Sequence, residues 1–142
     1  MLFQATGVAV GGSAVLLTGE PRIGKSSVAL ALIDRGAVLI GDDGVKLTVT
    51  GDRIEATPPP HTAGLLEVRG VGLIDLPTTS APVALLVHFG EEGERLPQTL
   101  PSTDLAGCKI PTLRLTAPDW TTALRIEQAL SHFGMVDRTA PD

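Results

Sequence analysis

The octet Gly19-Glu20-Pro21-Arg22-Ile23-Gly24-Lys25-Ser26 narrows the architecture of this chain more than any other stretch. It fits G-x-x-x-x-G-K-[ST], and its two flanks differ in kind. Ala14–Thr18 before it is an apolar run of strand type, while Lys25–Arg35 after it reads as a helix stopped by Gly36. A strand that turns through a glycine loop into a helix commits the chain to α/β layering, with ligands gathered at the carboxyl edge of the sheet. Such a loop offers backbone N–H groups to phosphate, and the helix behind it adds the positive end of its dipole. Lys25 then reaches the β- and γ-phosphates and the Ser26 hydroxyl ligates Mg²⁺. The expected nucleotide-binding set is Gly19, Glu20, Pro21, Arg22, Ile23, Gly24, Lys25, Ser26 and Ser27.

Two adjacent carboxylates fit the second half of such a site. Asp42 lies 17 positions after Lys25 (42 − 25), at the carboxyl end of the strand expected over Ala37–Ile40, and Asp43 follows it. Like charges side by side are costly unless a cation or a proton lies between them. One carboxylate suits Mg²⁺, directly or through water; the other suits proton removal from an attacking hydroxyl. The residues alone do not say which is which. Gly41-Asp42-Asp43-Gly44 is also ordinary turn chemistry, and it is the phosphate loop upstream that favours the functional reading.

Elsewhere the pattern predicts hairpins at Thr6–Val10 with Ala14–Thr18 and at Val45–Thr50 with Arg53–Thr57. Val28–Ile33 is apolar at nearly every position, so the first helix is expected to be largely buried. Val83–His88 and Ile110–Leu115 read as further strands, and Gly90 to Gly107 as a mobile surface segment. Asp119 is placed to cap a last helix with Ala123, Ile126, Leu130 and Phe133 on its apolar face and Gly134 at its end; Trp120 reads as a packing residue. Leu66 and Val68 alternate with Glu67 and Arg69, which gives a half-buried strand with both charges on one side, and Gly70 and Gly72 suggest close backbone approach. A Glu-x-Arg pair is also a common surface ion pair. The histidines, His61, His88 and His132, are too dispersed for a zinc site.

A net charge of −5 argues against general nucleic-acid binding, and the lone Cys108 excludes an internal disulfide. The apolar N-terminus has no basic n-region and is split by Gly11-Gly12, and no run reaches the ~20 apolar residues of a membrane helix. The chain is therefore expected to be a soluble, cytoplasmic protein with no membrane and no nucleic-acid partner. One domain is expected over residues 1–136, with a disordered tail over 137–142.

Thr18–Leu47 followed by "LLEVRGVGLIDL" (Leu65–Leu76) resembles the catalytic domain of the HPr kinase/phosphorylase family. The similarity runs from about Phe3 to Asp75, with a weaker echo in Glu94–Pro97 ("ERLP") and in the last strand and helix. The second block is the more diagnostic, since phosphate loops are common and L-[LE]-E-x-R-G-x-G-[IL]-I-D is not. The chain looks like the short form that lacks a separate N-terminal domain. The resemblance implies an α/β, P-loop kinase-like (PEP carboxykinase-like) domain with a mixed β-sheet and few helices. It implies an ATP- and Mg²⁺-dependent kinase acting on a serine of an HPr-like phosphocarrier protein, with weak phosphorylase activity in reverse. It also implies oligomers, although no self-association patch is readable here. Carried over by position, Lys25 and Ser26 serve nucleotide and metal, and Glu67 is a second metal ligand. Asp43 accepts the proton in the kinase direction with Asp42 beside it, Arg69 lies in the signature loop, and Arg95 aligns with a catalytic arginine.

The chain departs from the family at several positions. Pro21-Arg22 stands where the family has Ser-Gly, Ser27 where an acid usually follows, and Gln4 where a histidine neighbours the catalytic aspartate. Proline removes an N–H, arginine resists positive φ, and glutamine carries no proton. The family's arginine-rich loop has no counterpart in "TLRLTAPDWTTALR". These departures bear first on dephosphorylation, next on kinase rate and least on nucleotide binding. The alternatives are a nucleotide-binding regulatory module with impaired chemistry and a P-loop kinase for a small molecule.

Overall fold

The computed structural model describes residues 1–135; the expected tail lies outside the described residues. Its strands are β1 (Leu2–Phe3), β2 (Thr6–Val10), β3 (Ser13–Thr18), β4 (Val38–Gly41), β5 (Val45–Thr50), β6 (Arg53–Thr57), β7 (Leu65–Val68), β8 (Gly72–Asp75), β9 (Ala81–Phe89), β10 (Ser102–Leu105) and β11 (Cys108–Leu115). The helices are α1 (Lys25–Asp34) and α2 (Thr122–Phe133).

Strands run in the order β1-β5-β6-β9-β3-β2-β4, and β11, carrying β10, joins at β9. The sheet forks there because β9 is long. Its first residues, Ala81 and Pro82, pair antiparallel with β6, whereas Leu86–Phe89 pair parallel with β11. Along its other edge β9 runs parallel to β3. A register shift separates the pairs Ala14↔Val83 and Val15↔Leu85, leaving Ala84 as an extra residue. Side chains alternate faces along a strand, so one inserted residue exchanges them. Val83 accordingly packs with Ala14 and Leu16, while Leu85, Val87 and Phe89 pack on the opposite face with Val15 and Leu17.

Both faces of the central strands are buried, which explains their unbroken apolar runs. One face is covered by α1 and α2 through Val28, Ala29, Leu32, Ala123, Ile126 and Ala129. The other is closed by the sheet itself, which curls so that Val45, Leu47, Ile54 and Ala56 meet Leu105 and Ile110. The result is a mixed α/β fold with few helices, as expected. No helix among the described residues is long and apolar enough to cross a membrane.

Four expectations are corrected. The first helix buries only the stripe Val28, Ala29 and Leu32; Leu30 and Ala31 are exposed, because one side of α1 has no neighbour among the described residues. The segment read as mobile contains β10, which pairs with β11 through the Ala106-Gly107 turn. Gly70 and Gly72 have open space around them, so what they supply is torsional: φ is 80° and 126° in the β7–β8 turn. Trp120 is 85% exposed and packs in no core.

One topological fact positions the site. Since β2 runs antiparallel to both β3 and β4, those two are parallel to each other, and β9 and β11 share their direction. The carboxyl ends of β4, β3, β9 and β11 therefore lie on one edge. It carries the loops that begin at residues 42, 19, 90 and 116.

Candidate active site at the phosphate loop

The phosphate loop leaves β3 and enters α1 through Gly24, whose φ of 112° is left-handed and which provides no side-chain cap. A helix opened by Ser or Asp would spend those side chains on its first N–H groups. Here the amides of Arg22, Gly24, Lys25, Ser26 and Ser27 have no acceptor among the described residues, while Ile23 donates inward to the Glu20 carbonyl at 3.3 Å. Arg22 takes φ 68°, the left-handed conformation that glycine adopts without strain. A Cβ built on Gly19 would stand 3.0 Å from the Phe89 carbonyl, so the loop is seated on the end of β9. On its other side Pro118 touches Gly24, 3.4 Å from where a Cβ would be. The Lys25 ammonium bridges the Gly19 and Glu20 carbonyls, 2.9 Å from each.

The two acids occupy different situations. Asp42 is half-buried and accepts three hydrogen bonds, from Ser26 Oγ (2.7 Å) and Thr6 Oγ1 (3.1 Å) on one oxygen and from the Glu67 N–H (3.0 Å) on the other. Asp43 is exposed, sits at φ 59°, and its carboxylate accepts no hydrogen bond among the described residues. Its own N–H donates to Thr6 Oγ1 at 3.3 Å. The turn that separates the two is tight: a side chain on Gly41 would collide with the Gly44 carbonyl and Pro59. Thr6, buried to 1% exposure and 36 residues from Asp42, organises both acids. Sequence reading missed it, since nothing distinguishes this threonine from any other strand residue.

Glu67 and Arg69 arrive on the β7–β8 hairpin, a separate two-stranded sheet held down by Leu66, which is fully buried in the helix-side core. Glu67 and Arg69 are both exposed, on the side opposite Leu66 and Val68 as the alternation predicts. Pro21, Arg22, Gly24, Lys25, Ser26, Ser27, Thr6, Asp42, Asp43, Glu67 and Arg69 line one cleft of about 230 Å³. Arg95 is not among them; it lines a second cleft with Arg114, Arg125 and His132. His88 is tied to Thr18 Oγ1 (2.9 Å), and His61 and Gln4 are exposed.

Among the described residues no three His, Cys, Asp or Glu side chains converge as a ready metal site. The oxygens of Ser26, Asp42 and Glu67 nevertheless suit Mg²⁺, which takes one or two carboxylates and completes its shell from substrate phosphates and water.

A sequence model of the HPr Serine kinase C-terminal domain matches residues 2–135. The chain is 36% identical over 141 residues to the HPr kinase/phosphorylase of Clostridium perfringens, covering 89% of this chain and 46% of that protein. Against the HPr kinase/phosphorylase of Clostridium novyi it is 49% identical over 70 residues, covering 49% of this chain and 23% of that protein. The chain thus spans less than half the length of these curated relatives. The structure of the Hpr(Ser) kinase/phosphatase from Coxiella burnetii is similar with a TM-score of 0.79 at 26% identity, over 92% of this chain and 88% of that one.

Proposed function

The chain belongs to the HPr serine kinase C-terminal domain family, and from that premise we propose that it transfers the γ-phosphoryl group of ATP to a serine hydroxyl of an HPr-like phosphocarrier protein. The observation that carries this reading is the division of labour between the acids: Asp42 is bonded to Ser26 of the phosphate loop, and Asp43 beside it is unengaged and faces the same cleft.

The amides at Arg22 and Gly24–Ser27 hold the phosphates, with the α1 dipole behind them. Lys25 stands at the loop, and its ammonium stabilises charge on the β- and γ-oxygens once it exchanges the two loop carbonyls for phosphate. Ser26 and Glu67, with Asp42 behind Ser26, would hold Mg²⁺, which would supply neutralisation of the phosphate charge. Asp43 takes the seryl proton as the serine oxygen bonds to the γ-phosphorus and the bond from that phosphorus to the β-bridging oxygen breaks, releasing ADP. Asp43, Glu67 and Arg69 are all exposed, so the mouth is open to a serine presented on a protein surface, which favours a protein acceptor over a small molecule. Arg69 at the rim is assigned to positioning the acceptor. Arg95 stands outside the cleft and no step runs through it.

In the phosphorylase reaction an oxygen of inorganic phosphate bonds to the phosphoserine phosphorus as the bond from that phosphorus to the serine oxygen breaks; protonated Asp43 gives its proton to the departing serine oxygen, and pyrophosphate is the product. Gln4 in place of a proton-carrying histidine supports only weak phosphorylase activity. The natural setting is the cytoplasm, where ATP and phosphocarrier meet. The reading is tested with labelled ATP, Mg²⁺ and an HPr-like protein: label moves to a serine with the wild-type chain and not with Asp43→Asn. Calorimetric ATP binding without any transfer would replace the kinase by a nucleotide-binding module.

A further inference from the structure

Trp120 is a large ring held in water on a rigid turn. It is 85% exposed, although tryptophan is normally at least half covered. Its backbone is not loose. The Asp119 carboxylate accepts from the Thr121 N–H (2.8 Å) and hydroxyl (2.6 Å), and the Asp119 N–H donates to Thr122 Oγ1 (2.8 Å). Upstream, the Thr116 N–H donates to Glu92 (3.0 Å), which is itself paired with Arg125 at 2.6 Å. Pro118, two residues before Trp120, is packed on Gly24 of the phosphate loop.

The order of loops along the carboxyl edge gives this turn a purpose. Counting across the sheet, the acids stand above β4, the phosphate loop above β3, and the Trp120 turn beyond β9 at the end of β11. A nucleotide whose γ-phosphate faces the acids must send its nucleoside the other way, past Gly24 and toward Pro118. The cleft between loop and acids is lined mostly by charged and hydroxyl side chains, with no aromatic residue among them. We infer that Trp120 is the platform on which the nucleobase stacks, an assignment that rests on the nucleotide-binding reading above. A stacked indole contacts the π-face of a base and reads none of its hydrogen-bonding edge, so ATP and GTP should bind within a few-fold of each other.

The test uses the chain's own chromophore. Trp120 is its one tryptophan and there is no tyrosine, so intrinsic fluorescence reports this ring alone. ATP with Mg²⁺ should quench it. By calorimetry, Trp120→Ala should weaken ATP binding about 5- to 150-fold, the range of one base–aromatic stack. It should leave inorganic tripolyphosphate, which has no base, within about twofold, and Trp120→Phe should restore most of the loss. Equal weakening of ATP and tripolyphosphate would mean a damaged loop and would overturn the inference. So would unchanged ATP affinity in Trp120→Ala, or an effect confined to the KM for the phosphocarrier protein, which would make the ring a docking residue. In those cases wild-type transfer lost on Asp43→Asn still supports the kinase. If the wild-type chain binds neither ATP nor tripolyphosphate, both readings fall.

Discussion

A single carboxylate separates binding from chemistry in this cleft. Among the described residues the Asp43 carboxylate accepts no hydrogen bond and supports no neighbour. Asparagine also tolerates the left-handed φ of 59° that this position imposes. Asp43→Asn should therefore lower kcat by about 10²–10⁴-fold, the usual worth of a general base. Melting temperature and ATP affinity should stay at wild-type values, measured by calorimetry. Arg22 presents the opposite case, a side chain at odds with its backbone. A left-handed non-glycine residue costs roughly 1–2 kcal/mol, part of which glycine returns as extra freedom in the unfolded chain. Arg22→Gly is expected to stabilise the fold by about 1 kcal/mol in urea titration. It should also weaken ATP binding, because a cation lining the cleft is removed. A stability loss would mean that the guanidinium holds the loop together.

At the scale of elements, the β7–β8 hairpin is the least secured part of the site. Among the described residues it pairs with no other strand and is joined to the rest through buried Leu66, partly buried Val68 and the bond from the Glu67 N–H to Asp42. Leu66→Ala should cost about 2–5 kcal/mol, the range for a buried leucine truncation. It should also raise amide hydrogen exchange across Leu65–Asp75 more than in α2. If exchange rises uniformly instead, the hairpin is not a separate unit. The turn before α2 gives a pH dependence. The Arg125 guanidinium and the Thr116 N–H hold the Glu92 carboxyl below its ordinary value. A carboxylate depressed in the folded state contributes stability above its unfolded pKa and loses it as pH falls through the folded one. Glu92→Gln should thus lower stability at pH 7–8 and change little at pH values below the folded pKa, which flattens the acid limb of the stability curve. The pair is almost half exposed, so the amplitude is at most about 1 kcal/mol.

Across the whole molecule, ligand and fold are coupled because the cleft draws on distant parts of the chain. Thr6, Ser26, Asp42 and Glu67 meet through four hydrogen bonds, counting the one from the Asp43 N–H. A nucleotide bound there stabilises all of these segments together. At about a hundred times its Kd, Mg²⁺-ATP should add about 2.7 kcal/mol. For a domain of this size that raises Tm by roughly 5–10 °C. A chelator should reverse most of the shift while leaving the nucleotide-free Tm unchanged, since among the described residues no three His, Cys, Asp or Glu side chains converge as a metal site. A chelator-induced drop in the nucleotide-free Tm would point to a structural ion.

What the sequence determined by itself is local. The phosphate loop, the strand before it and the helix after it follow from glycine spacing and hydrophobic period, which act within a few residues. The alternation that sets Leu66 and Val68 against Glu67 and Arg69 is equally short in range. Tertiary structure alone decided the rest. Thr6 organises the acids because β2 lies between β3 and β4, and the fork at β9 depends on one extra residue at Ala84 that no propensity announces. Trp120 reads as a packing residue at the start of the last helix and stands in water because the turn after β11 projects beyond both cores. Which acid is bonded and which is free was likewise settled by packing. Two identical neighbouring side chains differ only in the groups that the fold brings to them, and those come from residues 6, 26 and 67.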